Sequence, residues 1–191
     1  LAIITEDVDR LDRLISDISD ASRLDAELSR AETERVNVGE MLTMLRDLYK
    51  GPAEEQQVRI EVVPPQIPLI VQGLESRLVQ VLRNLIANAL SFSPPGGTIT
   101  LAAAPENGFV RITVSDEGPG IPANKLQAIF DRFYSERPTA EKFGTHSGLG
   151  LSISKQIIEA HKGEIFAENR LDEDGQTVIG ARFTILIRPA R

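Results

Sequence analysis

Leu78, Val81, Leu82, Leu85, Ile86, Ala89 and Leu90 recur at three- and four-residue spacing, the pattern of a helix with one broad apolar face. The spacing predicts a helix over 74–91, stopped by Pro94-Pro95-Gly96-Gly97. Ahead of it, Ile4, Val8, Leu11, Ile15 and Ile18 step by fours and threes, with Leu14, Ala21, Leu24 and Leu28 on an adjoining stripe. Residues 1–30 therefore read as a long amphipathic helix with two stripes to bury, either against its own domain or, as favoured here, as a helical-bundle dimerisation element. Charge rises and periodicity breaks over 31–39, which reads as a linker or hinge. A second helix is expected over 38–50 through Met41, Leu42, Leu45 and Leu48, ended by Gly51-Pro52. Val58, Ile60 and Val62 alternate as a strand, broken by Pro64, Pro65 and Pro68 before Leu69-Ile70-Val71. Strands are expected over 98–104 and 109–115 across a Pro-Glu-Asn-Gly turn, followed by a helix starting near Pro122. Residues 134–147 are polar and aperiodic, a long loop of the functional kind. A helix over 151–161 and strands over 164–168 and 178–187, parted by Asp172-Glu173-Asp174-Gly175, complete the chain. The organisation is a helical appendage, 1–35, and one α+β domain, 36–191.

The chain has 191 residues, 41% hydrophobic and 26% charged, which is enough for one sizeable core plus an appendage. A net charge of -7 speaks against a duplex-DNA binder, whose affinity rests on cationic neutralisation of phosphates. No run approaches a membrane span, and the start, Leu1-Ala2-Ile3-Ile4, has no signal-peptide pattern and no initiator Met, as expected of a piece of something longer. With no cysteine, disulfides and thiolate metal sites are excluded, and a reducing compartment fits.

Three fragments carry possible chemistry. Asn84 and Asn88 lie four apart on one side of the predicted helix, where asparagine needs a reason to be. Either they are satisfied helix-contact amides, or they offer carbonyl oxygens to a hard cation carrying phosphates. Asp116-Glu117-Gly118-Pro119-Gly120-Ile121 follows a strand, as an ordinary Asp-Gly turn or as a buried carboxylate that accepts the amino hydrogens of adenine beside closely approaching backbone. Gly144-Thr145-His146-Ser147-Gly148-Leu149-Gly150-Leu151 runs into a helix, either as a flexible connector or as a cradle whose free amides attract phosphate.

Taken in order, the Asn-x-x-x-Asn helix, Asp-x-Gly-x-Gly, Ile129-Phe130-Asp131-Arg132-Phe133-Tyr134 and Gly-Leu-Gly-Leu resemble the ATP-binding domain of sensor histidine kinases. The resemblance runs from about Val36 to Phe183, and residues 1–30 look like the second helix of that family's dimerisation and phosphotransfer domain. It implies a two-layer α/β sandwich, the Bergerat ATP-binding fold, with a mixed sheet under three helices. By resemblance Asn88 coordinates magnesium, Asn84 sits near the phosphates, and Phe92 flanks the nucleotide. Asp116 would bind the adenine amino group, with Gly118, Gly120 and Ile121 shaping the base pocket. Arg132 would reach the phosphates, Gly148, Leu149, Gly150 and Leu151 would border them, and Tyr134, His146 and Ser147 belong to the ATP lid. ATP or ADP with magnesium is the implied ligand. A response regulator is the implied partner, and a homodimer through the N-terminal helix the implied state. The location is cytoplasmic within a membrane-anchored parent, with no nucleic-acid or membrane contact by this portion. Departures are Ser91 in place of a basic residue, Leu74 in place of an acidic helix cap, and Ala181 in place of Thr. Arg137 or Lys142 could supply the cation that Ser91 lacks. The lid wording resembles the ChvG-type envelope sensors.

Neither histidine suits the family's phosphoacceptor: His161 is placed to cap a helix end and His146 lies in the lid, so the acceptor helix is expected elsewhere. Two rivals are weighed. ATPases of the same fold place a glutamate four residues before the magnesium asparagine as general base, and this chain has Asn84 there. A non-catalytic nucleotide-binding relay is favoured only by Ser91.

Overall fold

The computed structural model describes residues 33–131 and 149–190. The domain is a five-stranded mixed sheet covered on one face by three helices, with a separate two-stranded sheet beside it. In chain order the elements are β1 (Glu34–Asn37), α1 (Val38–Glu55), β2 (Arg59–Val63), β3 (Ile70–Gly73) and α2 (Glu75–Phe92). Then come β4 (Thr98–Glu106), β5 (Phe109–Ser115), α3 (Gly150–Ala160), β6 (Glu164–Leu171) and β7 (Val178–Ile187). The large sheet runs β2-β4-β5-β7-β6, with β2 parallel to β4 and every other pairing antiparallel. The expected two-layer α/β sandwich is this architecture.

The helix α2 buries Leu78, Val81, Leu82, Leu85, Ile86, Ala89 and Leu90, the seven residues that set its period in sequence. They pack onto Ile99, Leu101, Ile112, Val114, Phe183 and Ile185 of one sheet face in a single core. Alternation along β4 and β5 sends one residue in two inward, so burial of that face fixes the register. The β4–β5 hairpin turns at Asn107 and Gly108, both at positive φ, and β4 continues through Pro105 into Glu106.

Three expectations are corrected. The linker expected over 31–39 contains a strand: β1 pairs antiparallel with β3, and Val36 is buried between exposed Arg35 and half-buried Asn37. Four residues carry too little alternation to stand out in sequence. Gly51-Pro52 does not end α1, which continues to Glu55. Proline's missing N–H would have paired with the carbonyl of Leu48, an exposed residue whose carbonyl can turn to water instead, while Ala53 beyond it is buried. Among the described residues no α-helix starts near Pro122; two short 3-10 turns stand there, Ala123–Lys125 and Ala128–Phe130. Only Phe130 of this stretch is buried, edge-on to Phe183, so there is no apolar face to sustain a longer helix.

The N-terminus of α2 has no side-chain cap of its own, because Leu74 holds the cap position. His161, at the C-cap of α3, fills the gap: its Nε2 accepts the Leu74 N–H at 3.0 Å, which assigns the ring proton to Nδ1, 2.7 Å from the Ile157 carbonyl. One neutral imidazole thus closes two helix ends, as a carbonyl cap and as an acceptor. It also packs on Gly73, where a Cβ would lie 2.8 Å from the His161 ring. His161→Ala is expected to destabilise the domain by about 1–3 kcal/mol, read as a lower denaturant midpoint at unchanged slope. Gly73→Ala should cost more in the native background than in His161→Ala, and additive effects would disprove the contact.

Candidate functional site

Asn84, Asn88 and Phe92 form a half-buried stripe along α2, each one turn beyond the last. Asn84 Nδ2 donates to the Gly150 carbonyl at 3.0 Å and to Ser154 Oγ at 3.2 Å, and Ser154 Oγ donates to the same carbonyl at 2.7 Å. Both amide hydrogens are therefore spent on fastening α2 to the start of α3, and only the oxygen is left for a ligand. Among the described residues no hydrogen bond claims the Asn88 side chain. The two alternatives for the asparagine pair divide between its members: Asn84 is the satisfied contact amide, and Asn88 is the one still able to offer a ligand its oxygen.

The second part of the site begins where β5 ends. Asp116 is 4% exposed. Its Oδ1 accepts the Gly118 N–H at 2.9 Å and the Ala181 N–H at 3.1 Å, while its own N–H donates to the Ala181 carbonyl at 2.9 Å. Arg170 Nη1 donates to the Asp116 carbonyl at 2.6 Å. Burial pushes the Asp116 carboxyl above the ordinary aspartate range, and the two amides and the nearby guanidinium oppose that rise. The result is a buried acceptor with one oxygen fixed by backbone and, among the described residues, no partner on the other.

Glycine is required around this carboxylate by close approach. At Gly180, φ +150, a Cβ would land on the Asp116 carbonyl oxygen. At Gly118 it would lie 2.7 Å from the Phe92 carbonyl oxygen, which is how the loop meets the end of α2. Gly120, φ +77, turns the chain so that Ile121 faces Asn169, whose Oδ1 accepts the Ile121 N–H and whose Nδ2 donates to the Ile121 carbonyl, both at 2.7 Å.

The third part is the start of α3. Leu149 is buried, Gly150 and Leu151 are half-buried, and the first turn has no side-chain cap hydrogen bond, so its dipole end favours an anion. Of the residues singled out from sequence, Phe92 meets Gly118, Asp116 bonds Gly118, and Asn84 bonds Gly150. Gly120 and Ile121 continue the same loop. Arg132, Tyr134, His146, Ser147 and Gly148 lie outside the described residues, as does the amphipathic segment 1–30. Among the described residues no group of His, Cys, Asp and Glu could hold a metal ion, so a cation here would need oxygens from its ligand and from water beside Asn88. Asn169, Arg170 and Ser154 were not foreseen; the register places Asn169 opposite Ala181 and Arg170 opposite Gly180, a relation visible only in the folded sheet.

Among the described residues no helix is long and apolar enough to cross a membrane. Residues 73–191 match the family described as histidine kinase-, DNA gyrase B-, and HSP90-like ATPase. The chain is 45% identical over 190 residues to the sensor protein ChvG of Rhizobium meliloti, covering 96% of this chain and 33% of that protein. It is 32% identical over 181 residues to the sensor histidine kinase WalK of Bacillus subtilis, covering 93% of this chain and 29% of that one. It thus spans about a third of the length of these relatives. Among solved structures, full-length ShkA in complex with AMPPNP superposes with TM-score 0.79 at 27% identity over 99% of this chain and 38% of that one. The catalytic domain of the histidine kinase ThkA superposes at 0.68, with 26% identity over 83% of this chain and 97% of that one. The ChvG-type wording of the lid agrees with the first relative, and the fold agrees with both structures. This chain belongs to the histidine kinase-, DNA gyrase B- and HSP90-like ATPase family.

Proposed function

We propose that the chain is the catalytic, ATP-binding portion of a sensor histidine kinase. It binds Mg-ATP and presents the γ-phosphoryl group to a histidine on a dimerisation and phosphotransfer domain, for relay to a response-regulator aspartate. The observation that carries this reading is the buried Asp116, one oxygen locked by Gly118 and Ala181 and the other left to accept the adenine amino group. In support, ShkA was solved with AMPPNP, and ThkA with its response regulator TrrA at TM-score 0.73 and 26% identity. In this reading 1–35 belongs to the dimerisation and phosphotransfer domain and 36–191 is catalytic. The parent protein works at the membrane with this portion in the cytoplasm, and it pairs through the N-terminal helix.

The residues divide the work. Asp116 reads the base; Gly118, Gly120, Ile121 and Phe92 wall it; the start of α3 at Leu149, Gly150 and Leu151 borders the phosphates, and the sequence resemblance assigns Arg132, Tyr134, His146, Ser147 and Gly148 to the same ligand. The Asn88 side-chain oxygen would hold a magnesium ion beside the phosphates, where the ion would supply charge neutralisation. Transfer breaks the bond from the γ-phosphorus to the bridging oxygen and forms one to an imidazole nitrogen, with ADP leaving. The protein's share is positioning and charge stabilisation. Water attack is disfavoured because Asn84 cannot act as a general base, and its amide hydrogens are already engaged. His161 is not the acceptor, since both ring nitrogens hold helix ends.

Calorimetry is expected to show magnesium-dependent ATP or ADP binding without stable acid-labile phosphorylation of the chain; absence of binding would overturn the reading. Asn88→Ala should remove the magnesium dependence, and an unchanged dependence would reassign the metal contact. Acidification should weaken ADP binding from a higher pH than an ordinary aspartate implies, because protonation removes the acceptor as pH falls through the raised Asp116 pKa. Asp116→Asn cannot titrate and has a single oxygen for the two backbone amides and the base together, so it should bind ADP more weakly throughout and lose the acid limb in the same titration. Stability runs oppositely: the folded state holds this proton more tightly than the unfolded chain, so the Asp116 contribution rises as pH falls.

A further inference from the structure

The loop from Asp116 to Ile121 is held unevenly. Its first half has several ties: Asp116 to Ala181 through backbone and side chain, Arg170 to the Asp116 carbonyl, and Glu117 Oε2 to the Thr98 N–H at 2.9 Å. Among the described residues its second half, Gly120 and Ile121, is tied through one side chain, the Asn169 carboxamide, which bonds both polar groups of Ile121 at 2.7 Å. Only an amide offers one donor and one acceptor in that fork. A carboxylate of the same shape would face the Ile121 carbonyl with a second acceptor, and a hydrocarbon would offer neither. The approach also depends on Gly120, where a Cβ would lie 2.8 Å from Asn169 Oδ1. Arg170 is the next residue on the same strand, so β6 grips the loop at both ends just before its bulge after Arg170.

We propose that Asn169, with Arg170 beside it, is a positioning residue for base recognition: it holds Ile121 and Gly120 as the far wall against which Asp116 reads the base. This rests on the proposed role of Asp116 as the adenine acceptor. Asn169 touches no nucleotide in this account. It acts by keeping the loop at the spacing an adenine ring fills, so its loss widens the pocket and admits guanine more readily while the phosphate end stays as it was.

The isosteric Asn169→Asp, Arg170→Gln and Asp116→Ala variants, with an Asn169→Asp/Asp116→Ala double variant, are compared by calorimetry with Mg-ATP and Mg-GTP, alongside thermal unfolding and amide exchange. Asn169→Asp is expected to lower the ATP-over-GTP ratio by about tenfold, a scale set by the loss of one good hydrogen-bonded contact, with magnesium dependence intact and faster exchange at Ile121. In the Asp116→Ala background it should change the ratio no further. A folded Asn169→Asp protein with an unchanged ratio, while Asp116→Ala loses its preference, overturns this inference alone. Retained ATP preference in Asp116→Ala overturns the base-pocket reading and this inference with it. Should Asn169→Asp fail to fold, the native protein and Arg170→Gln decide. An Ile121 amide exchanging as fast as exposed loop amides, or an unchanged ratio in Arg170→Gln, sinks the proposal.

Discussion

The close approach of Gly180 to the Asp116 peptide is the constraint on which the base end of the site depends. No side chain fits between them, so β7 can pass directly beneath the turn after β5 and offer both polar groups of Ala181 to Asp116. Because β5 and β7 are neighbours in register from Val110–Ile187 to Ser115–Arg182, the pairing that builds the sheet also sets where the carboxylate stands. A buried carboxylate is costly unless hydrogen-bonded, and here two amides and the Arg170 guanidinium supply the compensation. The same contacts fix which oxygen is occupied, so solvation and orientation have one solution.

The other end of the site is organised by α2, which serves two masters. One face is continuous core; the stripe of Asn84, Asn88 and Phe92 along its border reaches α3 and the Asp116 loop. Asn84 shows how a polar residue in mid-helix can be structural without being buried in the apolar core, by crossing to the carbonyl of a glycine that begins another helix. His161 does the same service at the opposite end of α3. The two helices are pinned at both ends of α3 by side chains that hydrogen-bond backbone, leaving apolar contacts to fill the span between.

What could be read in sequence was what repeats with a local period. The seven buried residues of α2 and the alternation of β4 and β5 are written in neighbours of each residue, and so they were legible. The glycines and Asp116 were legible for another reason: their order along the chain resembles a family pattern. Asn169 was not, because its partner lies 48 residues away and its neighbours Glu168 and Arg170 look like any polar strand edge. Pro52 misled for a physical reason, since its cost depends on whether the orphaned carbonyl meets water. Pro122 misled because helix initiation signals count only where a face can be buried afterwards.

The small sheet has a mechanical meaning. Beyond the β1–β3 pairing, Val71 bridges Pro189, and the Ala190 N–H donates to the Ile70 carbonyl at 2.8 Å. The first and last described segments therefore flank the same strand, and that strand leads into α2. Chain attached at either end therefore leaves beside this one short strand, so the unit can be inserted into a larger protein without any linker having to cross its width. The entry point, where Glu34 pairs with Gly73, lies near the start of α2, roughly 20 Å along the helix axis from Asn88 at 1.5 Å per residue.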